Sequence, residues 1–179
     1  MPLPGDFSLE RFWPLLRLYA RTLCLNPRLR RLFDSSDLVQ ETYVKAIAKF
    51  DQFEGTTPGE LVNWMRMILK NVLRDKLEKH KRELDHFHVG EIIDESTAGL
   101  GGILIDSGTS PSEQAEKQEM LLKQAEAIER LPDDQRDVVI CHYVLGLRVG
   151  ETAQNLGRTE KSVAGLLYRA KKQLGDWLE

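Results

Sequence analysis

Two stretches of this chain carry residues whose types and spacing could do chemistry, and in both the chemistry is recognition of polyanions. Between residues 158 and 172 lie Arg158, Lys161, Arg169, Lys171 and Lys172, five cations against the single carboxylate Glu160. Such a local excess is what a phosphate backbone contact requires, because binding there releases condensed counterions. The second stretch, Leu61 to Arg82, carries Arg66, Lys70, Arg74, Lys76, Lys79, Lys81 and Arg82, with Trp64 near its start and Asn71 within it. An aromatic ring beside a cationic stripe suits unpaired nucleic acid, since bases stack on the ring while the charges follow the phosphates. The plainer reading, a surface helix whose Trp64 belongs to the core, stays open on this helix alone. No nucleophile–base pair, phosphate-binding glycine loop or carboxylate pair with catalytic spacing occurs, so the expectation is a binding protein and not an enzyme. Cys24 and Cys141 stand far apart without metal-ligand spacing, and His86 and His88 flank Phe87 beside an acidic stretch. These predict neither a metal site, a cofactor nor a disulfide framework.

The elements that position these residues read as helices. In VGETAQNLGRTEKSVAGLLYRAKKQL, from Val149, the small Ala153 allows two helices to cross closely. Gly157 permits the turn, Thr159 caps the second helix, and Leu156, Val163 and Leu166 fill the core. This is the spacing of a helix-turn-helix, and its second helix points Glu160, Lys161, Ala164 and Tyr168 outward. Upstream, Asp37–Phe50 places Val39, Tyr43, Ala46, Ile47 and Phe50 on one face, with Asp37, Gln40, Glu41 and Lys45 opposite. Thr57-Pro58-Gly59-Glu60 forms a capping box that starts a helix to about His80, burying Leu61, Met65, Ile68, Leu69, Val72 and Leu77. Met67 is read as core as well. Leu9–Cys24 predicts one helix and Pro27–Phe33 a short second one.

Between these helical units the character changes. From Leu84 to Glu119, eight carboxylates (Asp85, Glu91, Asp94, Glu95, Asp106, Glu113, Glu116, Glu119) face Lys117 alone, a net of −7. Glycines, serines and the lack of a sustained period mark a linker. The expected fold is therefore all-α: two small helical domains, 1–84 and 118–179, joined by a flexible acidic linker over 85–117, the C-terminal domain a helix-turn-helix. The whole chain of 179 residues has a net charge of −3 and is 41% hydrophobic, ordinary for a folded domain pair. That sum hides how basic the two recognition stretches are. No apolar run approaches the ~20 residues of a membrane span and no secretory leader is evident, which predicts a cytoplasmic protein without membrane insertion.

Together these residues resemble a known family. DLVQETYVKAIAKFDQFEG from Asp37, followed by ELVNWMRMILKNVLRDKLEKHKR from Glu60, resembles the second region of extracytoplasmic-function sigma factors. LPDDQRDVVICHYVLGLRVGETAQNLGRTEKSVAGLLYRAKKQL from Leu131 resembles their fourth region. The resemblance implies a sigma factor that binds core RNA polymerase and directs initiation at promoters with −10 and −35 elements. Asp37, Gln40, Glu41 and Lys45 would dock on the polymerase clamp. Phe53, Glu54, Thr56 and Thr57 would receive a flipped base of the melted non-template strand. Trp64, Arg66, Lys70, Asn71, Arg74, Lys79, Lys81 and Arg82 would hold that strand. Arg158, Thr159, Glu160, Lys161, Ala164, Tyr168, Arg169, Lys171 and Lys172 would engage double-stranded −35 DNA. The implied partners are core RNA polymerase, promoter DNA and an anti-sigma factor. Gly150 and Thr152 depart from the family pattern in the first helix of the motif, as do Ala164, Gly165 and Leu166 in the second, which removes two potential DNA contacts. Two other readings remain open: a helix-turn-helix regulator that binds duplex DNA without polymerase, and a sigma-like adaptor without initiation activity.

Overall fold

The computed structural model describes residues 9–80 and 111–178, and every regular element among them is helical. After a 3-10 turn over Leu9–Phe12 come α1 (Trp13–Cys24), α2 (Ser35–Ala48), a second 3-10 turn (Phe50–Gln52) and α3 (Pro58–Lys79). The second half has α4 (Pro111–Arg130), α5 (Asp133–Val139), a π-helical turn (Ile140–Val144), α6 (Val149–Leu156) and α7 (Glu160–Leu178). The all-α expectation of two helical units is met. Helix α4 reaches back to Pro111, so residues 111–117 of the stretch read as linker are helical. The remainder of that stretch lies outside the described residues, as do His86 and His88.

Local chemistry accounts for the helix boundaries. Asp34 accepts a hydrogen bond from the Ser36 N–H at 2.7 Å, capping α2. At the start of α3 the Glu60 N–H donates to the Thr57 hydroxyl at 3.3 Å and the Thr57 N–H to the Glu60 carboxylate at 2.9 Å, closing the anticipated capping box. Residues 27–32, expected to form a short helix, are instead consecutive turns. Asn26 is responsible: its side chain accepts from the Arg28 N–H at 3.0 Å, and its carbonyl takes both Leu29 and Arg30.

Two phase assignments are corrected. In α2 the buried residues are Leu38, Val39, Thr42 and Ala46, a stripe rotated from the predicted one. Ile47 is 53% exposed, and Tyr43 sits at the edge, donating to Glu10 at 2.6 Å and meeting Trp13 edge-on. In α3 the anticipated core residues are all buried, with Val62 and Leu73 added, but Met67 is 58% exposed. Its place on the helix puts it on the outer face between Asn63 and Lys70.

The two halves share a core. The larger apolar cluster takes Leu15, Leu16, Tyr19 and Leu23 of α1, the inner stripes of α2 and α3, and also Leu122, Ala125, Ile140 and Cys141 from the second half. A smaller cluster, with Leu131, Val138, Val139, Ala153, Val163 and Leu166, holds α5, α6 and α7 together. Cys24 and Cys141 are both buried free thiols, and burial pushes each up to about 12. Among the described residues no helix is long and apolar enough to cross a membrane.

Thr152 is fully buried in the helix-turn-helix, and its hydroxyl has no hydrogen-bond partner. An unsatisfied buried hydroxyl costs about 1–3 kcal/mol. Thr152→Val keeps the shape and removes that group, so it should raise the thermal midpoint by a few degrees, as read by far-UV circular dichroism.

Candidate nucleic-acid and polymerase interface

The helix-turn-helix is built as its spacing predicted. Gly157 ends α6 in the left-handed conformation (φ 63°), where a side chain would be strained, and the Arg158 N–H returns to the Ala153 carbonyl at 2.9 Å. Ala153 and Val163 are buried at the crossing. Thr159 caps α7, its hydroxyl accepting from the Ser162 N–H at 3.2 Å. Cations and an aromatic are left facing outward: Lys161, Ala164, Tyr168, Lys171 and Lys172 are exposed on one side of α7, Tyr168 by 75%, with Arg169 next to them. Arg158 is different. Its guanidinium pairs with Asp134 of α5, so it braces the motif. Glu160 turns its carboxylate toward the start of α6: a Cβ on Gly150 would lie 3.2 Å from it.

On α3 the exposed stripe runs Asn63, Met67, Asn71 and Arg74, with Lys70 half-buried beside it. Arg74 donates to the Asn71 side-chain oxygen at 3.2 Å and Arg66 to that of Asn63 at 3.2 Å, which holds two cations against the helix surface. Arg66 also lies over the Tyr19 ring, 5.2 Å from its centroid, on the side of α1. Lys79 is exposed near the end of α3, away from the stripe. Lys81 and Arg82 lie outside the described residues.

Trp64 takes an intermediate role. It is half-buried and packs with Phe50 (6.1 Å between centroids, T-shaped) and Phe53 (5.3 Å, tilted). The three rings anchor the loop from Phe53 to Thr57, where the Thr56 and Thr57 N–H groups converge on one carboxylate. Glu60 accepts from Thr56 at 2.8 Å and from Thr57, and these hydrogen bonds hold its carboxyl below the ordinary range. Glu54 and Thr56 are left exposed at the tip.

The four residues expected to face polymerase divide. Asp37 and Gln40 are exposed on α2. Glu41 and Lys45 instead tie α2 to α3: Lys76 reaches Glu41 at 2.8 Å, and Lys45 reaches Asp75 at 2.9 Å and Glu41 at 3.5 Å. Lys76 and Lys45 accordingly lower the Glu41 carboxyl, and Asp75 raises Lys45. The outer stripe of α2 is completed by Val44 and Ile47, 65% and 53% exposed, which their spacing four and seven residues beyond Gln40 would have revealed had the phase been set by Leu38. Among the described residues no cluster of His, Cys, Asp and Glu could hold a metal ion.

Gly55 holds the loop in place sterically. A Cβ there would fall 2.4 Å from the Phe53 ring and 2.9 Å from the Glu60 Cβ. Gly55→Ala should therefore displace the Phe53 ring and shift the Trp64 indole N–H resonance in a 1H–15N spectrum, leaving those of Trp13 and Trp177 in place.

Comparison with known proteins agrees with this division. The model for sigma-70 region 2 matches residues 9–83, and that for sigma-70 region 4 matches residues 123–174. The chain is 31% identical over 138 residues to a Xanthomonas campestris protein named "Probable RNA polymerase sigma factor RfaY", covering 76% of this chain and 32% of that protein. The chain thus spans about a third of that relative's length. It is 28% identical to the ECF RNA polymerase sigma factor EcfG of Rhodopseudomonas palustris, covering 87% of this chain and 80% of that one. With the ECF RNA polymerase sigma factor SigM of Bacillus subtilis the identity is 24%, covering 78% and 77%. A solved structure of the sigma factor RpoE with the anti-sigma factor NepR from Bartonella quintana aligns over 95% of this chain and 93% of that chain, at 24% identity and a TM-score of 0.35. Two region models in family order, each coinciding with one helical unit, and relatives along most of its length place the chain among the extracytoplasmic-function sigma factors of the sigma-70 family.

Proposed function

We propose that this chain binds core RNA polymerase and directs it to promoters, with no catalytic step of its own. The observation that carries the reading is the coincidence of each sigma-70 region with an exposed recognition surface: the α3 stripe and its aromatic-anchored loop in the first, the cationic face of α7 in the second. In this reading region 2 acts on the −10 element and region 4 on the −35 element. The first domain spans 1–84 and the second 118–179, with the acidic stretch 85–117 between them, its last residues 111–117 already part of α4. The protein works in the cytoplasm, where polymerase and promoter DNA are, and an anti-sigma factor is a further partner.

The residue assignments follow from what each side chain is free to do. Asp37, Gln40, Val44 and Ile47 form the polymerase-docking stripe, polar at one end and apolar at the other. Glu41 and Lys45 hold that stripe in register against α3. Glu54 and Thr56, exposed in the loop that Phe53 and Trp64 anchor, receive the flipped base. Unstacking a base costs a few kcal/mol, so a pocket that rewards only the extruded base makes melting sequence-selective. Met67, Lys70, Asn71 and Arg74 line the path of the opened strand, with Arg66 and Lys79 at its margins and Lys81 and Arg82 continuing it. On α7, Lys161, Tyr168, Arg169, Lys171 and Lys172 contact the −35 duplex. Ala164 allows close approach of the helix to the groove, and Arg158, Thr159 and Glu160 set the helix start.

Reconstituted transcription with core polymerase on genomic fragments tests the proposal. Initiation at defined start sites is expected. Duplex binding that is indifferent to polymerase identifies a plain regulator instead, and polymerase binding without initiation identifies an adaptor, the reading that Ala164 and Gly165 on the recognition helix would favour.

Two substitutions separate the surfaces. Val44→Glu places a charge in the apolar end of the stripe and should weaken core binding roughly tenfold or more in a titration, while the thermal midpoint stays unchanged. Lys172→Ala should weaken duplex binding across sequences alike and reduce the slope of log affinity against log salt by about 1, without affecting core binding.

A further inference from the structure

The Glu60 carboxylate collects more donors than the start of a helix requires. A capping box needs one hydrogen bond in each direction between the N-cap residue and the third helical residue. Here the Glu60 N–H donates to the Thr57 hydroxyl at 3.3 Å, and the Thr57 N–H returns to the carboxylate at 2.9 Å. That completes the box. The same carboxylate oxygen also accepts from the Thr57 hydroxyl at 3.0 Å and, one residue outside the box, from the Thr56 N–H at 2.8 Å. Glu60 is itself exposed, and the hydrogen bonds that hold its carboxyl below the ordinary range all come from Thr56 and Thr57.

An exposed carboxylate beside a path for single-stranded nucleic acid has a cost, because it repels the phosphates that the neighbouring cations attract. The hydrogen bonds to Thr56 and Thr57 offset that cost by ordering the loop. At one end the loop is pinned by packed rings, Phe53 lying 5.3 Å from Trp64 and 6.0 Å from Phe50 between centroids. At the other end it is pinned by Glu60. Only Glu54 and Gly55 bridge the two anchors, and Gly55 stands too close to both the Phe53 ring and the Glu60 Cβ to carry a side chain. The backbone that presents Glu54 and Thr56 is thus held from both sides, and Glu60 supplies the polar half of the hold.

We propose that Glu60 is the positioning residue of the base-capturing loop: its carboxylate holds the Thr56 and Thr57 backbone where Glu54 and Thr56 meet an extruded base, without touching that base. The role rests on the reading of region 2 as the part that acts on the −10 element. A loop already ordered returns its full contact energy to the base that leaves the stack, whereas a loose loop must be ordered at the moment of capture. Reach to Thr56 is then the property that matters, and negative charge in the first turn of α3 is not. Glu60→Asp keeps the charge that favours a helix start but is one methylene shorter. Glu60→Gln keeps the reach and gives up the charge.

Two measurements test the role. In the full-length chain alone, Glu60→Asp should accelerate amide exchange of Thr56 roughly tenfold, while the amides of Ile68, Leu69 and Val72 inside α3 stay protected. A part limited to starting the helix would loosen α3 and leave Thr56 as it was. In the holoenzyme with core RNA polymerase, forked templates from start sites that the wild-type chain uses carry an abasic residue at successive non-template positions of the −10 element. For each variant the affinity for the intact template is divided by that for the abasic one, so a general loss of folding or of polymerase binding cancels. Wild type should show one position with a ratio of about ten. Glu60→Asp should bring that ratio down to about two, and Glu60→Gln should keep it at about five or more. Either an unchanged ratio or unchanged Thr56 exchange in Glu60→Asp overturns the positioning role and leaves base capture standing. A Glu60→Gln ratio as low as that of Glu60→Asp assigns the effect to charge and overturns the role as well. A wild-type chain without a sensitive position overturns base capture itself, and the role with it.

Discussion

Burying α1 is the constraint that organises this molecule. Its buried side chains at positions 15, 16, 18, 19, 20, 22, 23 and 24, all but Thr22 apolar, cover roughly two thirds of the helix circumference at 100° per residue. A helix of that kind cannot sit at a surface. Helices α2 and α3 cover part of it, and α4 with the π-helical turn covers more, so the first half draws the second against it. Arg17 and Arg21 occupy the narrow polar sector that remains and meet carboxylates from the second half. The recognition surfaces are what is left outward once α1 is enclosed.

Ion pairs in this chain serve geometry more than stability. Exposed pairs contribute little individually, and Lys45–Asp75 and Lys76–Glu41 are of that kind. Their effect is to hold the register of α2 on α3, which fixes the exposed stripe of one helix relative to that of the other. Arg158–Asp134 does the same between α7 and α5. Cations that seem available when counted along the chain are thus partly committed within it, whereas Lys161, Lys171 and Lys172 stand exposed on the outer face of α7.

Aromatic packing shows how one residue can satisfy two readings at once. Trp64 is held by Phe50 and Phe53, as a core residue would be, yet this packing fixes the loop whose tip carries Glu54 and Thr56. A ring free to rotate would be a poor support for that loop. Gly55 and the Glu60 carboxylate complete the support from the other side.

Local signals in the sequence determined the helical class, the capping box at Thr57, the turn at Gly157, the cap at Thr159 and the inner stripe of α3. Each depends on neighbours within a few residues, where backbone hydrogen bonding and helical period leave few choices. The helix-turn-helix and its family were legible for the same reason. The phase of α2 was not. Val39, Tyr43, Val44, Ala46 and Ile47 supply apolar residues on both sides of that helix, so periodicity alone could not say which side faces inward. Packing of Leu38, Thr42 and Ala46 against neighbouring helices decided it, and exposed Val44 and Ile47 in doing so. The engagement of Glu41, Lys45 and Arg158 in ion pairs and the docking of the two halves through Arg21, Ile140 and Cys141 likewise belong to tertiary structure. These contacts join residues from 24 to more than a hundred positions apart, and no local rule of spacing reaches across that distance.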